Sequence, residues 1–211
     1  MAGVLCAGLA LLACWSALGA PRFRTGLLAL MALAWALPGP VVGLGLKGTI
    51  DQLLNLTHSR LLARALWHGP SLAPVLWADL LRFFPCAVAL LWPVVRLVPR
   101  DLRDAARVDG ARPSQELRLV VWPLAAPACL RAALAVAALS LGELSAGKLV
   151  STPGQPAYAE VVFTQMHYGV TNDLAARCLL LLAAVTAVAA LVAVAGGRAP
   201  RFIPAGGEPR A

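Results

Sequence analysis

Long stretches without charged residues divide this chain into segments of the length that spans a lipid bilayer. Residues 1–20 and 25–46 contain no Asp, Glu, Lys or Arg, and a helix needs about 20 apolar residues to cross the hydrocarbon core. Over all 211 residues, 60% are hydrophobic and only 13% are charged, whereas soluble domains carry about 25% charged residues. The pattern excludes a soluble enzyme, a disordered chain and a secreted disulfide scaffold, and it predicts a membrane protein.

The apolar segments predict an all-α fold, a polytopic transmembrane helix bundle of about five spans. The predicted spans cover residues 1–20, 26–46, 71–98, 119–142 and 174–196. Pro38 and Pro40 are expected to kink or unwind the outer half of the second span. Apolar residues at helical spacing over 47–69, with polar residues between them, predict an amphipathic helix on the membrane or over the bundle. The Gly/Pro/Arg-rich tail at 197–211 is predicted to be disordered and cytoplasmic.

Lysine and arginine are unequally distributed between the predicted loops. The loops at 21–25, 96–118 and 197–211 hold eleven of them, and the loops at 47–70 and 143–173 hold four. Because cytoplasmic loops carry the excess of positive charge, the first set and the C-terminus are predicted to be cytoplasmic and the N-terminus periplasmic. The net charge of +8 therefore needs no nucleic-acid partner, since the cations form no basic aromatic surface. An uncharged start outside the cell is unusual for a complete chain, so Met1 is expected to lie inside a longer parent or to follow a missing span.

The loop at 99–118 has signals for two short helices. Pro99 marks the boundary after the third span, and Asp101 is predicted to cap a helix with Asp104 in its first turn. Gly110 is predicted to end that helix. Pro113 is predicted to begin a second helix that runs into the fourth span.

This loop resembles a motif of transport proteins. It contains Asp104-Ala105-Ala106, three further residues, Gly110, and then Pro123 thirteen positions on. The pattern is similar to the EAA loop in permease subunits of binding-protein-dependent ABC importers, which reads Glu-Ala-Ala, three residues, Gly, and about a dozen residues to a Pro. Asp104 departs from the usual Glu by one methylene, so a salt bridge made there would differ.

Two further segments resemble one branch of that family. Residues 141–146, Leu-Gly-Glu-Leu-Ser-Ala, are similar to a segment of sulfate, molybdate and ferric-iron permeases, and residues 163–169 are most like the ferric-iron group. The resemblance covers nearly the whole chain, as the C-terminal half of such permeases. It implies a type I ABC importer permease fold in the cell inner membrane, with ferric iron as the expected substrate.

The resemblance implies that the loop at 99–118 docks on a separate ATP-binding ABC subunit and couples its movements to the spans. The residues assigned to this coupling loop are Asp104, Ala105, Ala106, Arg107, Asp109, Gly110 and Pro123. Further partners would be a periplasmic solute-binding protein, a second permease copy or the missing N-terminal half, and the lipid bilayer. The chain contains no phosphate-binding GxxxxGK[ST] loop, so ATP hydrolysis is expected in the partner and not here.

Three ionisable residues in or near the spans are candidates for the translocation path, because charged groups inside a membrane are usually functional. They are Glu143, Arg131 and Asp79. Asp79 is also three residues from Arg82, a spacing that allows pairing on one helix face, and Arg131 is a second candidate partner for Asp79. The sequence predicts no catalytic residue, no metal-ligand set and no cofactor.

Other interpretations differ in substrate or in class. The same permease role is compatible with sulfate, molybdate, thiamine or a polyamine. An inactive, truncated half-permease is a further alternative. A membrane-embedded enzyme would require paired catalytic groups at one depth, and the ionisable residues here are isolated along the sequence.

Overall fold

The computed structural model describes residues 1–152, 154 and 156–197, and it is helical in the part so described, with no strand there. The predicted tail lies, from residue 198 on, outside the described residues. Six long helices and five short ones follow each other along the described part of the chain. They are α1 (Ala2–Gly19), α2 (Pro21–Ala36), α3 (Gly39–Thr57), α4 (Arg60–Ala63), α5 (Ala73–Arg96), α6 (Arg100–Val108), α7 (Pro113–Glu116), α8 (Trp122–Leu141), α9 (Gly147–Val150), α10 (Tyr158–Met166) and α11 (Asn172–Gly197).

Two π-helical turns adjoin these helices. One, Arg64–His68, continues α4, and the other, Leu117–Val121, joins α7 to α8. The second turn makes Pro113–Leu141 one helix of 29 residues, and it ends at Val121, with Trp122 between it and Pro123. Proline lacks the N–H group that would continue a regular ladder, so a π turn is a reasonable accommodation at this point.

Four helices are long and apolar enough to cross a membrane: α1, α5, the continuous helix Pro113–Leu141, and Asn172–Val194 of α11. The pair α2 and α3 passes the same test together, which raises the number to five if the bent pair is one span. The predicted all-α bundle of about five spans is therefore confirmed.

The main core lies between α1, α5 and α8. Small residues on α1, including Cys6 and Ala10, are fully buried there, and they pack with larger residues such as Leu91 and Val136. Lipid tails are as apolar as leucine, so helices in a bilayer associate through close packing at small residues. The small residues of α1 allow it to pack closely against both α5 and α8.

The second predicted span is interrupted more strongly than expected. Its two halves, α2 and α3, meet at an angle of 108° around Leu37 and Pro38. The predicted boundary at residue 46 is wrong, because α3 runs without a break from Gly39 to Thr57. Leu46 and Ile50 on α3 are buried. The helix therefore extends, with buried residues, into the region predicted as a separate amphipathic segment.

A second, smaller apolar core lies near the start of α5. It combines residues of α3, the first π turn, α5 and the α9 region, namely Leu46, Ile50, Leu66, Ala78, Ala146 and Val150. The layer formed by α3 and α9 therefore packs at the end of the bundle away from α6. The end of α1 lies at the α6 end, since Trp15 and Gly19 line the same cleft as Arg103 and Glu116.

Candidate functional site

Helix α6 lies outside both apolar cores and connects the end of α5 to α7. None of its residues is buried. Pro99 occupies the N-cap position, and Asp101 lies in the first turn, so the prediction of Asp101 as the cap is wrong. Asp101 still favours the helix through its charge, because the first turn carries the positive end of the helix dipole. Asp104 was predicted in the first turn of this helix and lies in its second turn.

Gly110 ends α6 as predicted. Its φ of +79° is in the left-handed region that glycine adopts without steric cost. The Ala111 N–H donates to the Ala106 carbonyl at 2.9 Å, and the Gly110 N–H donates to the Arg107 carbonyl at 3.0 Å. These two bonds form a Schellman motif, which satisfies carbonyl groups that a helix end otherwise leaves unpaired.

Replacing Gly110 by alanine is expected to loosen this helix end by about 1 kcal/mol, because a Cβ is disfavoured at positive φ. No atom lies within 4 Å of the position that the Cβ would take, so the cost comes from the backbone alone. Hydrogen–deuterium exchange over residues 107–112 in a nanodisc should rise about fivefold. Gly110→Asn should exchange more slowly than Gly110→Ala, because asparagine tolerates this region. Equal exchange in the two variants would contradict the assignment.

Glu116 ties α6 to the helix that becomes α8. Its side chain is only 4% exposed, and its two oxygens accept from Arg107 Nε at 2.9 Å and Arg107 Nη2 at 3.4 Å. Arg103 Nη1 lies 4.0 Å from the same carboxylate. A bidentate pair of this kind fixes orientation as well as distance. The sequence-based prediction missed Glu116; the signal was an acidic residue beside a loop rich in arginine.

The hydrogen bond and the negative charge of Glu116 raise the pKa of Arg107 above its ordinary value. Because this pKa is raised, deprotonation of Arg107 would remove the pair's contribution to folding only as the pH rises through the folded value, above the ordinary arginine pKa. Arg107 therefore stays charged in the physiological range.

The two sides of α6 have different surroundings. Arg103 and Ala106 are half-buried toward the bundle, whereas Ala105, Asp104 and Asp109 are exposed. Leu102 is 49% exposed and Val108 is 87% exposed. Val108 is therefore largely uncovered by the rest of the described chain. Pro123 lies two turns into the following helix and is exposed, apart from α6.

A second polar cluster lies at the other end of the bundle. Asp79 is buried and accepts a short hydrogen bond from Ser140, and Arg82 Nε lies 3.8 Å from Glu143 Oε2. The predicted pairing of Asp79 with Arg82 is therefore wrong, because each residue finds its partner on the segment at the end of α8. The spacing placed both on one helix, but tertiary contacts decide the pairing.

Arg131 does not pair with Asp79 either. Its Nε donates to the Pro127 carbonyl, one turn earlier in the same helix, at 3.1 Å. A backbone carbonyl oxygen has two lone pairs, so it can accept this bond in addition to the helical one. No group of three or more His, Cys, Asp and Glu side chains that could hold a metal ion occurs among residues 1–152, 154 and 156–197.

The described residues thus form an all-α bundle of candidate spans with an exposed helix, α6, tied to one end. The chain belongs to the family described as binding-protein-dependent transport system inner membrane component, whose sequence model matches residues 9–199. A 52-residue segment is 46% identical to the trehalose transport system permease protein SugB of Mycobacterium tuberculosis (strain CDC 1551 / Oshkosh). This match covers 25% of the chain and 19% of that relative.

Proposed function

We propose that the chain forms membrane-spanning helices of an ABC importer and that α6 docks on the separate ATP-binding subunit. The observation that carries this proposal is a short helix with no buried residue, outside both apolar cores and held to the following span by an ion pair. A helix tied rigidly to a span transmits displacement into the membrane, and such rigid-body shifts are a common way of coupling sites. The Arg107–Glu116 pair supplies that tie.

The residues assigned to docking divide into two roles within this proposal. Ala105, Asp104 and Asp109, together with Val108, form the surface that contacts the ATP-binding subunit. Ala106, Arg107 and Gly110 shape α6 and hold it on the bundle, with Arg107 acting through Glu116. Ala105 and Ala106 are small, so the partner on one side and the bundle on the other can approach closely.

The orientation follows from the same assignment. With α6 in the cytoplasm, the layer of α3 and α9 faces the periplasm, where a solute-binding protein would deliver substrate. Met1 then lies at the periplasmic end, as the distribution of arginines predicts. A second copy of the chain or an N-terminal half would supply the other coupling helix and the other side of the path.

For the substrate we retain ferric iron as the first candidate, on the likeness of residues 141–146 and 163–169 to ferric-iron permeases. The name of the matched relative makes a disaccharide a second candidate. Sulfate, molybdate, thiamine and polyamines are compatible with the same role. Uptake of radioactive ferric iron and of trehalose by cells expressing the complete importer separates the first two. Uptake of neither would leave the other substrates, or an inactive half-permease.

The three residues predicted for the translocation path keep that role as a proposal. Asp79 is a buried carboxylate between spans, a setting in which ionisable groups are usually functional. The contacts of Arg131 support a path role least, because its guanidinium donates within its own helix. Glu143 has a specific alternative role, considered below.

Val108→Asp tests the docking assignment. It places a charge at the centre of the proposed contact, and we expect capture of the co-expressed ATP-binding subunit to fall about tenfold, since the variant loses the valine's burial and must desolvate a carboxylate. Val170→Asp is the matched control, because Val170 is 92% exposed and lies beyond α10, away from α6. Equal capture by both variants would contradict the proposal. So would failure of the wild type to capture the subunit when the second permease half is supplied.

A further inference from the structure

Two chain reversals lie side by side at the end of the bundle away from α6. One is the break between α2 and α3 at Leu37 and Pro38, and the other is the turn from α8 into α9 at residues 142–146. A reversal frees backbone N–H and C=O groups from the helical ladder. Near lipid each group left without a partner is strongly destabilising, so both reversals need polar partners from elsewhere.

Arg82 on α5 supplies the partner at the first reversal. Its Nη1 donates to the Leu37 carbonyl at 2.7 Å, the carbonyl that the break leaves without a helical donor. Pro38 and Pro40 have no N–H, so the chain itself offers fewer donors here than an ordinary turn. The guanidinium reaches this carbonyl from the neighbouring span.

Glu143 supplies the partner at the second reversal. Its Oε1 accepts from the Ala146 N–H at 2.8 Å and from the Ser145 hydroxyl at 2.6 Å. Its other oxygen, Oε2, faces Arg82 Nε at 3.8 Å, and its side chain is 10% exposed. One carboxylate therefore organises the α8–α9 turn and contacts the residue that organises the α2–α3 break.

The two reversals also pack tightly on one another. A Cβ at Gly39, the first residue of α3, would overlap the Ser145 hydroxyl group, and a Cβ at Gly43 would press on Ala146 and Leu149. This close approach leaves little room for an error in the direction of either segment. The direction in which each segment leaves its reversal therefore decides whether α3 and α9 can pack together.

We propose that Arg82 and Glu143 are a positioning pair that directs α3 and α9 into one layer across this end of the bundle. Glu143 acts through the oxygen that binds the α9 backbone, and its negative charge is secondary because the ion pair is long. Glutamine keeps a side-chain carbonyl oxygen at that place. Exchanging the two charged residues would restore an ion pair but would leave the Ala146 N–H and the Leu37 carbonyl without their partners.

A disulfide reporter tests the position of α9 without any transport assay. The Ser71 N–H donates to Thr152 Oγ1 at 3.2 Å, and this hydroxyl donates to the Ser71 carbonyl at 3.0 Å, so Ser71→Cys and Thr152→Cys place two thiols on adjoining backbone segments just beyond α9. The five native cysteines are replaced by alanine in the reporter. Cross-linking rates are then compared in membranes for Glu143, Glu143→Gln, Glu143→Ala and the exchange Arg82→Glu with Glu143→Arg.

We expect Glu143→Gln to cross-link as fast as the parent, and both Glu143→Ala and the exchange to cross-link at least about fivefold more slowly. An exchange variant at the parent rate would overturn the proposal in favour of a simple ion pair. Slow cross-linking in Glu143→Gln would overturn it in favour of a charge-dependent role. Because the exchange and the glutamine variant decide the outcome, misfolding of Glu143→Ala does not remove the test.

The proposal rests on the proposed function only for its effect on transport. In the assembled importer, the exchange variant is expected to lose most of the uptake. Loss of all uptake in the parent, with normal cross-linking, would count against the importer assignment alone.

Discussion

Valine in place of Gly3 is expected to lower the amount of folded protein in the membrane several-fold. Gly3 on α1 lies where α1 crosses α8, and a Cβ there would overlap the backbone carbonyl oxygen of Ala133. A backbone atom cannot move aside by changing rotamer, so the helices themselves must separate. Overpacking a core costs about 1–3 kcal/mol and sometimes more, and we expect the upper end because the main core on both sides of the contact is disturbed. Proteins are stable by only about 5–15 kcal/mol in total.

Gly8→Val is the matched control for this prediction. Gly8 lies on the same helix, and no atom outside its own helix lies within 4 Å of the position of its Cβ. Both variants change the helix propensity of α1 by the same substitution, so the difference between them isolates the contact with α8. The measurement is the monodisperse fraction and the thermal midpoint of a fluorescent fusion after detergent extraction. Equal loss in the two variants would show that the α1–α8 contact is not the cause.

Glu116→Gln is expected to uncouple transport from ATP hydrolysis. The amide keeps the size of the side chain but removes the charge that holds Arg107, so α6 stays helical while its tie to the following span weakens. Residues that connect two sites change their coupling by up to roughly thirtyfold. The ratio of substrate transported to ATP hydrolysed, measured in proteoliposomes of the assembled importer, should fall by up to that factor. Capture of the ATP-binding subunit should change little, because the outward surface of α6 is not altered.

Asp173→Asn controls for the loss of a negative charge at the start of a long helix. Asp173 lies in the first turn of α11 and is exposed, away from α6. It should leave the ratio of transport to hydrolysis unchanged. If Glu116→Gln also leaves this ratio unchanged, the arginine–glutamate tie does not carry the coupling, and the packing of α7 against α6 would have to do so.

The long apolar helices could be predicted from the sequence because the bilayer imposes one length and one polarity on every span. The break that divides residues 26–57 into α2 and α3 could not be predicted. Pro38 and Pro40 predicted a kink, but the direction of the chain beyond them depends on Leu46 and Ile50 packing against Ala78 and Val150. Those partners lie far away in sequence, and a hydropathy window does not detect them.

The candidate site was predictable where it depends on local geometry. Gly110 at the end of α6 is one case, because a left-handed residue there is a property of the helix end itself. The Arg107–Glu116 pair is the opposite case, since it depends on how the loop between them folds back. Asp79 and Arg82 illustrate the same limit, because their spacing on one helix permits a pair that Ser140 and Glu143 then replace.

The central place of α1 in the bundle has a consequence for biogenesis. Its two packing partners, α5 and α8, follow it in the chain by more than fifty and a hundred residues respectively, so they leave the ribosome well after it. Until then α1 must persist in the lipid without its partners in the main core, which its freedom from charge allows. During that interval the small residues of α1 face lipid. They contact protein in the main core only after α5 and α8 have inserted. The order of synthesis therefore makes completion of the main core a late event, set by the insertion of α8.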